Sequence, residues 1–246
     1  MAANKWQVEH LRLTTFVHQP FDAGAQPQQL FRSYTDRDAD SVTHNREAMS
    51  HVEQGKYGGG VLLITQAPGR IDAIHSVGAE APAWLGSFAE CAPQFFEDSS
   101  KFCAGLPANY EPFRVALGVV LAWPVKSKAE GYSMVSRKLN LKLPDQASDL
   151  LFQINLPTTV EGIVLNRLRK FSVSHSQRAT IEVSLLTGSH KVLEYNGEAR
   201  YATRLELDFS STAEIRDKVS RENIVATLKL LSDSVTETEK DEYGYQ

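Results

Sequence analysis

Cysteine is scarce in this 246-residue chain, with only Cys91 and Cys103 present. Two thiols cannot complete a four-cysteine zinc site or staple a small scaffold. The 10 prolines and 15 glycines are too few for a collagen-like or low-complexity chain. No run approaches the roughly 18 apolar residues of a membrane span. The start, Met1 to Trp6, lacks the apolar core of a secretory signal. A strong charge of one sign is missing too, because 26 Lys and Arg against 30 Asp and Glu leave a net charge of −4. These absences lead us to expect a soluble cytoplasmic protein without a membrane partner.

Signatures of common chemistry are also missing. Gly58-Gly59-Gly60 precedes an apolar run but lacks the Lys-Ser/Thr that completes a phosphate loop. There is no Gly-x-Ser-x-Gly nucleophile elbow and no dinucleotide-binding glycine pattern after a strand. Cys91 and Cys103 lie in aromatic, apolar sequence, where buried thiols serve packing. No catalytic residue and no cofactor is expected.

What is present is the composition of a folded protein: 42% hydrophobic, 9% aromatic and 23% charged. Its charge is unevenly spread. Residues 1–100 carry 7 basic and 12 acidic side chains, whereas residues 101–178 carry 11 and 5. The basic middle fits either an anionic partner or internal complementarity between layers of the fold, and the modest excess favours the second.

Periodicity predicts an opening strand over Trp6 to Val17 and a short helix over Gln28 to Tyr34. A second helix is expected from Ser41 to Gln54, after the acidic run Asp36 to Asp40. Val61 to Thr65 and Arg70 to Val77 flank Pro68-Gly69, the pair that suits a type II turn, and predict a hairpin. Residues 82–104 read as helical, with Pro93 either kinking the helix or starting a second one. The apolar run from Arg114 to Trp123 fits a strand buried on both faces. Ser127 and Glu130 form a capping-box pattern ahead of a short helix.

Farther on, strands are expected over Leu150 to Leu156, Leu165 to His175, Ala179 to Leu185, Lys191 to Tyr195 and Tyr201 to Phe209. Asn196-Gly197 reads as a primed hairpin turn. Ser220 is placed to cap a last helix, striped by Ile224, Leu228, Leu231 and Val235. The class is α+β on a largely antiparallel sheet with packed helices, consistent with two similar subdomains. The expected division is 1–106, 107–240 and a frayed acidic tail over 241–246.

Asp36, Asp38, Asp40 and Glu47 match the 1, 3, 5 and 12 positions of a calcium loop. Ser41 stands where that loop needs Gly, and Thr43 where it needs an apolar residue. We therefore read Asp40 or Ser41 as a helix cap and favour no metal. On that helix His44, Glu47 and His51 would share a face, which we read as solvated rather than zinc-binding.

The remaining constellation runs from Asn166 to Arg178. As a strand it sets Arg167, Arg169, Phe171, Val173 and His175 on one face, with Arg178 following. Cations beside an aromatic suit the phosphates and bases of a single strand. The competing reading is a core strand whose arginine heads stay in water. Arg167, Arg169, Phe171, His175 and Arg178 are the candidate binding residues.

Gly60 to Arg70, Arg114 to Val120, Leu205 to Phe209 and the closing helix together resemble a patchily distributed family of short, uncharacterised bacterial proteins. The resemblance implies a bacterial cytosolic accessory protein and carries over no functional residue. The expected function is non-enzymatic binding to another protein, or assembly into a complex. Nucleic-acid binding through the basic segment 126–178 is the alternative, and an enzyme of unknown class comes third.

Overall fold

The computed structural model describes residues 6–18, 29–78, 84–106, 110, 112–144, 147–183, 190–212 and 223–244, and the side chains of these except 177–183, 190–199 and 239–244. The elements of the first half are β1 (Gln7–Val17), α1 (Leu30–Thr35), β2 (Ser41–Asn45), β3 (Ser50–Tyr57), β4 (Gly60–Ala67), β5 (Arg70–Ser76) and α2 (Phe88–Gly105). Those of the second are β6 (Pro112–Val125), α3 (Lys128–Leu139), β7 (Leu151–Asn155), β8 (Thr158–Val160), β9 (Ile163–Val183), β10 (His190–Ser211) and α4 (Ile224–Gly244).

The ten strands form one antiparallel sheet in the order β2-β3-β4-β5-β1-β6-β10-β9-β7, with β8 on β9. The fold is α+β, as expected. Among the described residues each half follows the same course: a strand, a helix, four more strands and a helix. In each, the last strand returns to pair with the first, so β5 joins β1 and β10 joins β6. β1 and β6 pair with each other and join the halves in the middle of the sheet.

One face of the sheet carries the core. Register aligns Ala73, Leu13, Leu117 and Phe209 across four strands, and each is buried. Phe31, Phe95, Phe102, Val135 and the α4 stripe join the same hydrophobic cluster, so the four helices cover this face. The stripe is deeply docked: Ile224, Leu228, Leu231 and Val235 are at most 2% exposed. Gly69 takes φ +72°, open to glycine at little cost, and closes the expected β4–β5 hairpin. Ser127 Oγ accepts from the Glu130 amide at the start of α3, as the sequence pattern predicts.

The opposite face is roofed by ion pairs. Val115 to Ala122 on β6 are all buried, yet the outward residues Ala116, Gly118, Val120 and Ala122 are small. Long side chains from the flanking strands close over them: Arg12 meets Asp208 at 3.0 Å, and Arg204 meets Glu9 at 2.8 Å. Lys170 pairs with Glu206 at 3.1 Å on the same side. These pairs join residues of both halves, and one of their three cations, Lys170, comes from the basic middle.

Several elements depart from expectation. Ser41 to Gln54 is not a helix but the β2–β3 hairpin, in which helix-forming Arg46 to Met49 make the turn. α2 starts at Phe88 and runs unbroken through Pro93, its sixth residue, where the missing N–H forgoes the helical bond to the Ala89 carbonyl. Glu90 Oε2 accepts from the Ser87 amide at 2.9 Å and caps that start. β9 is one strand rather than two, and Asn196-Gly197 lies inside β10, where the ladder absorbs extra residues as a bulge between Asn196 and Arg200. α4 continues to Gly244, into the segment expected to fray, and Thr238 on it is buried. Ser220 lies outside the described residues.

Candidate functional site

The four described candidates on β9 do share a face, the one toward the helices. Register sets Arg167 beside Phe209, Arg169 beside Leu207, and Phe171 between Phe152 and Leu205. Their surroundings differ. Arg167 Nε donates to the Leu156 carbonyl at 3.2 Å, and Arg169 Nη2 reaches Thr238 Oγ1 on α4 at 3.4 Å. Phe171 is 2% exposed and belongs to the core, which withdraws its ring from any base that could stack on it. The side chain of Arg178 lies outside the described residues.

His175 differs from the others. It is exposed, and its ring lies 5.1 Å from that of Tyr201. Together with Lys128, Ser148, Asp149, Val173 and Ser174 these two rings line a groove of about 380 Å³. Lys128 and Asp149 give it one charge of each sign.

This groove marks the root of a longer feature. β10 pairs with β6 only from Tyr201 onward, and β9 pairs with β7 only up to Ser172. Beyond them, Ser176 to Val183 and His190 to Arg200 pair with each other alone, among the described strands. The two-stranded ribbon extends about 25 Å at ~3.3 Å per residue. Its backbone register pairs Ile181 with Val192, Ala179 with Tyr195, and Glu182 with Lys191. Residues 176–200 hold three basic and three acidic residues. An isolated two-stranded ribbon is marginal in water.

A second groove, of about 390 Å³, opens between α1 and α2 and includes Asp36, Arg37, Tyr57, Gln94, Asp98 and Lys101. Tyr57 Oη donates to Asp98 Oδ2 at 2.6 Å, and Tyr34 Oη pairs with Ser99 Oγ at 2.8 Å. Burial, then the Asp98 bond and charge, raise the Tyr57 pKa, and burial raises that of Tyr34 well above the usual phenol range. Both phenols stay protonated at neutral pH and can donate but not attack. Burial also pushes the Cys103 thiol up to about 12 and raises Cys91, so neither supplies a thiolate.

The acidic run does not wrap a common centre. Asp36 takes the left-handed conformation after α1, Asp38 pairs with Arg32 at 2.8 Å, and Asp40 Oδ2 accepts from the Lys56 amide at 3.0 Å. Neither Asp40 nor Ser41 caps a helix, since the helix expected there is a hairpin. That hairpin moves Glu47 into a turn and places His44 opposite His51. Behind His51 lies Glu53, 3% exposed, a residue the sequence reading passed over. Of the inward residues His51, Glu53, Gly55 and Tyr57 only the last is hydrophobic, so the sequence shows no alternation of apolar residues there.

The sequence matches no protein-family model, and it matches none of the curated proteins.

Proposed function

We propose that the protein is a non-enzymatic accessory protein of the bacterial cytoplasm, binding another protein or entering a complex through the β9–β10 ribbon and the groove at its root. The observation that carries this reading is the ribbon itself, which leaves the sheet with no neighbouring strand among those described. Its equal numbers of cations and anions favour a protein partner, because a nucleic-acid arm needs a basic excess. The buried Phe171 weighs in the same direction. No helix among the described residues is long and apolar enough to cross a membrane. The bacterial setting rests on the family resemblance.

The test replaces residues 177–199 by Asn-Gly, so that Ser176 and Arg200, which already face each other, close a tight hairpin. Wild type and this variant are then used for cross-linked co-purification from the native host. The reading expects a protein recovered with wild type and lost with the shortened variant, while thermal unfolding of the two stays alike. Identical recoveries would reject it.

A further inference from the structure

We propose that His44 and His51 form an open binding site for a divalent transition-metal ion of the zinc, nickel or copper type. The pair stands apart from the ribbon and its groove, and rests on three features of the β2–β3 hairpin.

The first is distance. Pairing sets His44 directly opposite His51, and their Nδ1 atoms face each other at 3.2 Å. A tetrahedral zinc ion with Zn–N bonds of about 2.0–2.1 Å separates two nitrogen ligands by roughly 3.3–3.4 Å. The two imidazoles therefore stand close to the edge length of such a coordination shell without a change of backbone.

The second is support from behind. His51 Nε2 lies 2.6 Å from Glu53 Oε1. Glu53 is held in turn, accepting from the Phe31 amide at 2.6 Å and the Leu30 amide at 3.2 Å. A carboxylate on the far nitrogen is the usual second partner of a metal-binding histidine, because it fixes the ring and its tautomer. With the Nε2 proton donated to Glu53, the lone pair of His51 is on Nδ1, the nitrogen 3.2 Å from His44 Nδ1. Without metal, one proton between the two Nδ1 atoms joins the rings. When an ion takes its place, that proton moves to His44 Nε2, and both Nδ1 lone pairs serve as ligands.

The third is access. His51 is 1% exposed, whereas His44 lies on a strand exposed along its length. An ion arriving from solvent meets His44 first and is then seated against a fixed ring. No third His, Cys, Asp or Glu completes the group among the described residues. The other coordination positions are thus open to water or to a donor from another molecule. Imidazole ligands select copper, nickel and zinc and discriminate against magnesium and calcium.

The experiment is titration of the untagged full chain with Cu2+, Zn2+, Co2+ and Mg2+ by calorimetry, with visible absorption followed for Co2+. One ion per chain is expected for the first three, tightest for Cu2+, with none for Mg2+. His44→Ala should weaken binding by about tenfold or more, and Glu53→Gln by about 10–100-fold. Because His44 is exposed, its variant should keep the metal-free melting temperature of wild type, which separates loss of a ligand from loss of the fold. Silence of the wild type toward Cu2+ and Zn2+ would overturn the proposal, as would His44→Ala binding as tightly as wild type.

Discussion

Arg12 on β1 lies across Gly118 of β6 and donates to Asp208 of β10 at 3.0 Å, so one ion pair spans three neighbouring strands. A β-carbon on Gly118 would come within 3.1 Å of Arg12 Nε. The glycine is there to let the guanidinium pass. Gly118→Val should displace Arg12 and cost about 1–3 kcal/mol. The pair itself is part-exposed and contributes at most about 1 kcal/mol. In an Arg12→Ala background the valine should therefore cost less, and urea unfolding of the double-mutant cycle measures that coupling. Strict additivity would show that the strain lies elsewhere.

Leu228 is 2% exposed in the α4 stripe. Leu228→Ala should destabilise the protein by about 2–5 kcal/mol, read from denaturant midpoints. A change below ~0.5 kcal/mol would mean that α4 does not dock in solution.

Phe171 separates the two binding readings. As a core residue, its replacement by Ala should cost about 3–5 kcal/mol. The wild type should show no salt-dependent affinity for single-stranded DNA or RNA. A steep salt slope that flattens by about 1.4 log units in the Arg167→Ala, Arg169→Ala double variant would favour nucleic acid instead.

His75 supplies a pH dependence. Its ring lies edge-on to Tyr57 at 4.8 Å and faces Phe95 at 6.4 Å. Burial pushes its pKa down to about 4, with the Tyr57 backbone opposing the shift. The unfolded chain holds the ordinary value near 6.5. Between these values the unfolded state binds the proton and the folded state does not. Stability is therefore full above about pH 6.5 and falls as the pH drops toward 4, by up to about 3 kcal/mol. His75→Leu should flatten that part of the stability–pH curve, and an unchanged curve would remove His75 as its cause.

How much could be read in advance follows from which side chains face inward. β6, the β4–β5 hairpin and α4 turn apolar residues to the core at the period of their own structure, so pattern and fold coincide. β3 does not, because its inward residues include His51 and Glu53, and polar side chains at period two carry no hydrophobic signal. The helix formers Arg46 to Met49 then lent the segment a false helical look. For the same reason the paired histidines could not be foreseen as facing groups, since cross-strand register belongs to the whole sheet. Asn196-Gly197 misled in the opposite way: a strong local turn signal was overridden by the ladder on either side of it. The ribbon was legible only as separate alternating pieces.

The central place of β1 and β6 bears on how the chain is made. β1 leaves the ribosome about a hundred residues before one of its two neighbours, β6, and the roof over that join needs Asp208, 196 positions from Arg12. Contacts so distant in sequence close slowly. The first half can pair β5 with β1 and cover one face with α2, but its β1 edge then stays open through much of translation. An unpaired edge with Leu11 and Leu13 beside it is a template for wrong pairing, including with the same edge of another nascent chain. The strand that unites the finished sheet thus keeps an open edge during synthesis, and slowing translation after α2 should lengthen that exposure.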